Sequence, residues 1–171
     1  MGPAADTIAA ISTPPIPAAI GILRLSGPRA AQIAAVCFKP LGRKGLLEHR
    51  PHELVYGDLL DTEGAVIDRV LCTFSLAPHS YTGEDTAEIH CHGAPMVLQL
   101  GLEALFAAGA RQAQRGEFTR RAFLNGKLDL AQAEAVGDLL EADSRQAARN
   151  AAGQLNGALS RRIGAVYSAL L

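Results

Sequence analysis

The sequence changes character once, near Gly126, and this change limits the folds that the chain can adopt. Before Gly126, short apolar runs alternate with glycine- and proline-containing turn signals, a pattern typical of strands interleaved with helices. After it, the chain is rich in alanine and leucine and has few helix-breaking residues. We therefore predict an α+β domain, with a mixed β-sheet and packed helices, over residues 1–126. Over residues 127–171 we predict the long α-helices that begin a helical domain.

The first part contains five runs with the length and bounding turn residues of strands, at residues 7–11, 20–25, 53–60, 66–76 and 86–92. The segment Asp61-Thr62-Glu63-Gly64 separates two of these runs and predicts a hairpin loop. Alternation within residues 66–76 predicts one buried face, made of Val70, Cys72, Phe74 and Leu76. Helices are expected at residues 28–38 and from Pro95 to about Gly109, because proline favours the first turn of a helix and glycine follows its end.

The second part contains two helix-start signals, each with the form of a capping box. They are Asp129-Leu130-Ala131-Gln132 and Asp143-Ser144-Arg145-Gln146. The last helix is expected to run to Leu171 without a break, over about 40 Å. Its apolar stripe consists of Ala148, Ala151, Leu155, Leu159, Ile163, Val166 and Leu170. A stripe of this length needs a partner to cover it, so we expect the chain to stop inside a helical bundle.

Composition excludes several classes of protein. The hydrophobic fraction of 49% is that of a globular chain, and the formal net charge of -1 gives no overall attraction to nucleic acid. The three cysteines lack the spacing of a zinc site or a disulfide framework, which is typical of a reducing compartment. No signal peptide and no membrane-spanning run is recognised. These features predict a cytoplasmic protein with no membrane association.

The strand at residues 86–92 carries the most informative side chains. Period-two geometry places Glu88, His90 and His92 on one face and Cys91 on the other. A carboxylate flanked by imidazoles could bind the donors of a planar heterocycle, ligate a metal or carry out acid–base chemistry. It could equally be the solvated polar face of a sheet. No convincing remaining ligand set accompanies the two histidines, so no metal site is predicted.

Other charges in the first part also need an explanation. Arg24 lies within the apolar run Ile20-Gly21-Ile22-Leu23-Arg24-Leu25, where a charge should be paired or used in binding, and an internal salt bridge is the simplest alternative. A basic segment follows near the boundary, and on charge alone it could receive an anion or form an ordinary solvated helix face. Its members are Arg111, Arg115, Arg120, Arg121 and Lys127, with Glu117 as the opposing charge.

Motifs for nucleotide binding and nucleophilic catalysis are absent from the sequence. It contains no G-x-x-x-x-G-K-[ST] phosphate loop, no G-x-G-x-x-G turn and no G-x-S-x-G nucleophile elbow. We therefore predict no catalytic residue in these 171 residues and no hydrolysis of GTP by this chain alone.

Several blocks resemble the N-terminal part of the MnmE/TrmE family of tRNA-modifying GTPases. The opening block runs from Asp6 through Thr13-Pro14-Pro15 to Gly27, and the second comprises Tyr81-Thr82-Gly83-Glu84-Asp85 with residues 88–93. The third, from Gly116 through Arg121-Ala122-Phe123-Leu124-Asn125-Gly126-Lys127-Leu128-Asp129-Leu130 to Ala135, is long and specific. The resemblance covers essentially the whole chain. It departs from the family at Ile16-Pro17-Ala18-Ala19, where glycines are usual.

The resemblance implies a domain similar to the folate-binding part of aminomethyltransferases. The ligand would be 5-formyl- or 5,10-methylene-tetrahydrofolate, and the family's binding positions correspond to Arg24, Glu88 and Lys127. It also implies a homodimer, an FAD-containing partner of the MnmG/GidA type, and modification of the wobble uridine of tRNAs. GTP, with Mg²⁺ and K⁺, would bind in a GTPase domain that these residues do not include. Two alternatives are a structural dimerisation module without folate binding and a stand-alone enzyme of the aminomethyltransferase type.

Overall fold

The computed structural model describes residues 6–14, 16–159, 161 and 163. They form two compact units that divide between Arg115 and Gly116. The boundary expected from composition, at Gly126, lies further along the chain. The difference arises from residues 117–124, which form a helix that contacts the next helix in the second unit.

The first unit is a seven-stranded mixed sheet with two α-helices, and it confirms the α+β prediction. Its strands are β1 (Ile8–Ile11), β2 (Ala18–Ser26), β3 (Phe38–Pro40), β4 (Val55–Leu60), β5 (Val66–Ser75), β6 (Thr86–Gly93) and β7 (Arg111–Gln112), and its helices are α1 (Ala30–Cys37) and α2 (Pro95–Ala107). The strand order is β3-β4-β5-β6-β2-β1-β7. The β1–β7 pair is parallel, and the other neighbouring pairs are antiparallel. A short 3₁₀ helix, Leu46–Glu48, lies between β3 and β4.

The core lies between one face of this sheet and the two helices. Alternate residues of the central strands are buried there together with residues of α1 and α2, and examples are Leu23, Leu25, Val70, Cys72, Phe74, Ala87, Ile89, Ile33 and Leu98. The alternation predicted for residues 66–76 is confirmed as far as Phe74. It is wrong for Leu76, which follows the end of β5 and is 44% exposed.

The hairpin loop between β4 and β5 forms as predicted, and Asp61 organises it. One carboxylate oxygen of Asp61 accepts backbone N–H groups from Glu63 and Ala65 at 2.9 and 2.8 Å. Gly64 adopts a φ of 82°, in the left-handed region that favours glycine. These local bonds fix the register of the hairpin.

The second unit contains α3 (Glu117–Leu124), α4 (Leu130–Glu141) and α5 (Arg145–Leu155). The capping box predicted at Asp129 is confirmed, since its carboxylate accepts the Gln132 N–H at 2.8 Å and the Gln132 side chain accepts the Asp129 N–H at 2.9 Å. The second predicted cap was wrong by one residue. Ser144, rather than Asp143, accepts the N–H at the start of α5.

The prediction of one unbroken helix to Leu171 was wrong within the described residues. Helix α5 ends at Leu155, and Gly157 adopts a φ of 76° before a helical turn resumes at residues 158–159. A left-handed glycine just beyond the last turn is the usual way in which a helix stops. The predicted stripe is therefore interrupted after Leu155. Its last members, Val166 and Leu170, lie outside the described residues. Over the described part of the chain, no helix is long and apolar enough to cross a membrane.

Candidate functional site

The sheet face opposite the core carries charged and imidazole side chains at its centre, on β6 and its two neighbours. Register places Arg24 of β2 and Thr73 of β5 directly opposite Glu88. Because alternate residues of a strand share a face, His90 and His92 extend this group along β6. We call the face defined by Arg24, Thr73, Glu88, His90 and His92 the polar face.

Glu88 is held at both of its carboxylate oxygens. The Arg24 Nε donates to Oε1 at 2.7 Å, and the His90 Nε2 lies 3.2 Å from Oε2. Burial on its own raises the pKa of Glu88, but the charge of Arg24 and hydrogen bonds from His90 and Arg24 outweigh it, so the pKa lies below the ordinary value. The carboxylate is thus an ionised acceptor, about a third exposed at its side chain (29%).

A second carboxylate–imidazole pair lies further along the same strand. One oxygen of Asp68 accepts the His92 backbone N–H at 2.8 Å, and the other lies 2.8 Å from the His92 Nδ1. The Asp68 carboxylate is nearly buried, whereas the His92 side chain is 72% exposed. Burial raises the pKa of Asp68, but the two bonds from His92 and one from the Arg69 N–H reverse the effect and lower it.

An apolar row crosses the polar face between these two pairs. Register places Ile22 of β2 and Leu71 of β5 on either side of His90, and Tyr56 of β4 beside Leu71. Leu71 and Tyr56 are exposed at 37% and 53%. The polar face therefore presents the Glu88 carboxylate and, next to it along β6, His90 within an apolar row. The Asp68 carboxylate that bonds His92 lies opposite the buried Leu59, on the core side of β5.

The loop that leads into β6 is anchored by a buried polar network. The Ser26 hydroxyl donates to the Glu84 carboxylate at 2.8 Å and lies 2.6 Å from the Thr82 hydroxyl. All three residues are buried. Since Ser26 also lies opposite Thr86, the network holds the loop against β2 where β6 begins.

Three residues, Arg24, Glu88 and Lys127, were predicted to bind the ligand, and the structure brings the first two together. Arg24 and Glu88 form an ion pair, so the internal salt bridge considered for Arg24 is present. Lys127 lies in the second unit, between α3 and α4, where its side chain is exposed and its backbone N–H bonds to the Ala122 carbonyl at 2.8 Å.

The basic segment is not a uniform solvated helix face. Arg121 and Glu117 of α3 are both buried and form an ion pair at 3.2 Å. Arg120 also reaches the Glu117 carboxylate, at 3.5 Å, and Arg111 pairs with Asp6 in the first unit. Two of the five basic side chains thus share one buried carboxylate.

Neither a metal site nor a reactive thiol is evident among the residues that the structure describes. No group of three or more potential metal-ligating side chains is found in this set. The three cysteines are buried, and burial raises the pKa of Cys37 and of Cys91 to about 11. The Cys91 Sγ lies 3.4 Å from the Gly21 carbonyl, on the core side of β6, as the strand periodicity predicted.

Sequence reasoning missed Asp68 and the network of Ser26, Thr82 and Glu84. Asp68 is far in sequence from its partner His92, and nothing in the local pattern of residues 66–76 distinguishes it. The signal that could have identified it is the pairing of its strand with the strand of His92. Pairing between β5 and β6 had not been predicted.

The first unit is therefore an α+β domain with charged side chains built into its sheet. Helices cover one face of the sheet, and an ionised carboxylate lies at the centre of the other. The chain belongs to the family described as GTP-binding protein TrmE N-terminus, whose model matches residues 7–127.

The chain is also similar to proteins named tRNA modification GTPase MnmE. It is 51% identical to that of Chloroflexus aurantiacus over 97% of this chain and 36% of the relative. It is 49% identical to one from a Synechococcus strain, over 99% and 37%, and 51% identical to that of Stutzerimonas stutzeri, over 95% and 34%. The chain thus spans about a third of the length of these relatives.

Proposed function

We propose that this chain binds a reduced folate, 5-formyl- or 5,10-methylene-tetrahydrofolate, on its polar face with Glu88 as the anchor. The observation that supports this proposal is the state of Glu88. It is an ionised carboxylate, partly accessible, at the centre of a sheet and flanked by Arg24 and His90. An arginine–glutamate ion pair with a purely structural role would not need a carboxylate that solvent can reach.

The chemistry of Glu88 fits a pterin ring. An ionised carboxylate accepts hydrogen bonds only and has about four lone-pair positions on its two oxygens. The bonds from Arg24 and His90 occupy one position on each oxygen. The adjacent N–H donors of a pterin can use the remaining positions side by side, and such charge-assisted bidentate bonds are among the strongest in proteins.

We also propose Arg24, in the first unit, and Lys127, in the second, as binding residues, each on its own grounds. Arg24 keeps Glu88 ionised and in place through its 2.7 Å bond. Lys127 is an exposed cation in a segment that matches the family. A cation suits the carboxylates of the folate tail.

The wider activity follows from the relatives, whose printed name is tRNA modification GTPase. We infer that this chain supplies the folate-binding and homodimer-forming part of such a protein in the cytoplasm. With an FAD-containing partner of the MnmG/GidA type, the protein would modify the wobble uridine of tRNAs. GTP, Mg²⁺ and K⁺ would bind in the portion of the relatives that lies outside these 171 residues, so this chain alone should not hydrolyse GTP.

Calorimetric titration with 5-formyltetrahydrofolate tests the folate proposal. Truncating one partner of a desolvated charged pair costs about 2–5 kcal/mol, so Glu88→Ala should weaken binding by roughly 30-fold or more. Glu88→Gln should lie near the alanine variant, because an amide oxygen accepts only one of the two donors well. Glu103→Ala, at an exposed position of α2, is the matched control and should bind as the wild type does.

A structural dimerisation module is the second candidate, because the Arg24–Glu88 ion pair already satisfies both charges internally. The same titration separates the two. No binding by the wild type, with dimers seen in sedimentation, supports the structural module. Equal binding by wild type and Glu88→Ala shows that folate binds elsewhere.

A further inference from the structure

We propose that a groove beside the edge strand β3 docks an amphipathic helix of a partner protein, one that carries apolar side chains along one face and carboxylates on its flanks. The inference does not depend on folate binding. Three features of the groove support it: its apolar lining, the poor pairing capacity of β3, and the positive charge of the loop around it.

The groove is formed by the end of α1, by β3, by the 3₁₀ helix that follows β3, and by the end of β4. It has a volume of about 490 Å³, and its apolar lining consists of Val36, Phe38, Pro40, Leu46, Leu47 and Leu60. Phe38 and Leu46 are each 2% exposed, whereas Val36 and Leu47 are 69% and 49% exposed. The groove thus combines fixed, buried apolar residues with two apolar side chains that solvent reaches. Such a surface favours an apolar occupant.

The shape of the groove suits the side chains of a helix better than a small ligand. The groove is shallow and open to solvent. A small-molecule site instead buries about 70–90% of the surface of its ligand. A helix can place apolar side chains at spacings of three and four residues into a shallow groove while its other faces stay in water.

Strand β3 lies at one end of the strand order, but it is a poor template for an added strand. It is three residues long, and Pro40 has no N–H to donate. Short edge strands that carry proline and lysine are those with which natural sheets prevent pairing. A partner is therefore expected to bind through its side chains, as a helix does, and not through its backbone.

The loop around the groove is strongly basic for a chain whose net charge is -1. Four of the 16 lysine and arginine residues lie within residues 39–50, where Glu48 is the one carboxylate. All four are exposed, and none forms an ion pair within the part of the chain that the structure describes. They are Lys39, Arg43, Lys44 and Arg50. Lys39 lines the groove, and Arg43 and Lys44 directly precede Gly45, which also lines it.

The carboxylates near these cations are bound by other groups. Glu48 and Glu53 each accept a backbone N–H of the loop. Asp58, which lies opposite Lys39 in the sheet, is paired with Arg69 at 2.6 Å. The exposed cations are therefore left to a partner, and charge complementarity selects one with carboxylates beside its apolar side chains.

Nucleic acid fits this surface less well than an acidic helix. Proteins hold single strands by stacking bases on accessible aromatic rings. The aromatic residue that lines the groove, Phe38, is only 2% exposed. A bound phosphate backbone would also leave Val36 and Leu47 uncovered.

Fluorescence anisotropy with three labelled synthetic peptides tests the inference. The first peptide, of about four helical turns or roughly 14 residues, has leucines at spacings of three and four and glutamates elsewhere. The second has lysine in place of glutamate, and the third has serine in place of leucine. The wild-type chain should bind the first at least about tenfold more tightly than the other two, and added salt should weaken this binding.

A change in the apolar lining locates the binding site. Leu47→Ser should weaken binding of the first peptide by roughly three- to tenfold, because it removes apolar surface that the peptide would cover. Leu54→Ser is the matched control, since Leu54 is 54% exposed and precedes the opposite end of β4. Its affinity for the peptide should equal that of the wild type. Circular dichroism checks that both variants keep the fold.

Reversal of charge in the loop provides an independent test. Arg43→Glu combined with Lys44→Glu should weaken the first peptide and strengthen the lysine peptide. Arg145→Glu combined with Arg149→Glu, at two exposed positions of α5, is the matched control and should change neither.

Three outcomes would overturn the inference. The first is no binding of the leucine–glutamate peptide by the wild type at about 100 µM. The second is unchanged affinity for this peptide in Leu47→Ser or in the charge-reversed variant, because the peptide would then bind elsewhere. The third is a single-stranded RNA that binds more tightly than the peptide and loses affinity on charge reversal, which would assign the loop to nucleic acid. None of these outcomes bears on the role of Glu88.

Discussion

Replacing Ser26 by alanine should destabilise the first unit by removing one donor from a buried carboxylate. The Ser26 hydroxyl donates to Glu84 at 2.8 Å and also contacts the Thr82 hydroxyl at 2.6 Å. Ser26 and Thr82 are almost completely inaccessible, at 0% and 1% exposure, so water cannot replace the lost hydroxyl without a local opening. A hydrogen bond to a charged group contributes about 1.5–3 kcal/mol, and this is the expected decrease in the free energy of unfolding.

Urea unfolding followed by circular dichroism measures this decrease, and thermal unfolding gives an independent value. For a chain of this size, each kcal/mol lowers Tm by about 2–4 °C, so Ser26→Ala should lower it by roughly 3–12 °C. A double-mutant cycle with Thr82→Val should give a coupling of about 0.5–3 kcal/mol, because the two hydroxyl groups are in direct contact.

Ser12→Ala is the matched control. Ser12 is an exposed serine directly after β1, and its backbone N–H bonds to the Ile22 carbonyl of β2. Its free energy of unfolding should stay within about 0.5 kcal/mol of the wild type, as is usual for surface substitutions. If Ser26→Ala costs no more than Ser12→Ala, the hydroxyl does not stabilise the loop. The hydrogen bonds among Ser26, Thr82 and Glu84 would then form because of the fold without stabilising it.

Two further predictions concern the cysteines and the helical unit. At pH 8, Cys37, Cys72 and Cys91 should resist a thiol reagent in the folded chain and react fully in guanidinium, because burial raises the pKa of each thiol; rapid labelling of the folded protein would contradict this. Asp129→Ala should destabilise the second unit by about 0.5–2 kcal/mol, seen as a lower unfolding midpoint by circular dichroism, while Asp129→Asn should retain most of the cap. Equal midpoints for the two variants would refute the capping argument.

The elements of the sheet could be predicted from the sequence wherever a periodic apolar pattern had turn residues at its ends. Residues 86–92 met both conditions, so the strand and the faces of Glu88 and Cys91 were assigned correctly. The hairpin at Asp61 was also predictable, since its signal is local. Arg24 was recognised because a charge inside an apolar run needs a partner. That partner, Glu88, lies 64 positions away and could be named as a contact only from the structure.

Features that depend on long-range pairing or on burial by other elements were not predictable. Asp68 faces His92 across 24 positions, a relation with no local signature. Glu117 and Arg121 are charged, and on charge alone a solvated helix face was one of the two predictions for their segment, yet both are buried. The end of α5 was missed for a different reason. Gly157 is a local stop signal, but the apolar stripe continues past it, and the stripe was given more weight than the glycine.

The strand order has a consequence for folding. Strands β1 and β2 on one side, and β3, β4 and β5 on the other, each pair with near neighbours in sequence, whereas β6 alone joins the two groups. Pairing of β6 with β2 closes the long segment between residues 26 and 86. This closure costs chain entropy before the new contacts repay it, so the pairing is expected to be a slow and late step. During synthesis it cannot happen until residue 93 has left the ribosome. The step that joins the two groups of strands is therefore also the step that first aligns Arg24 with Glu88.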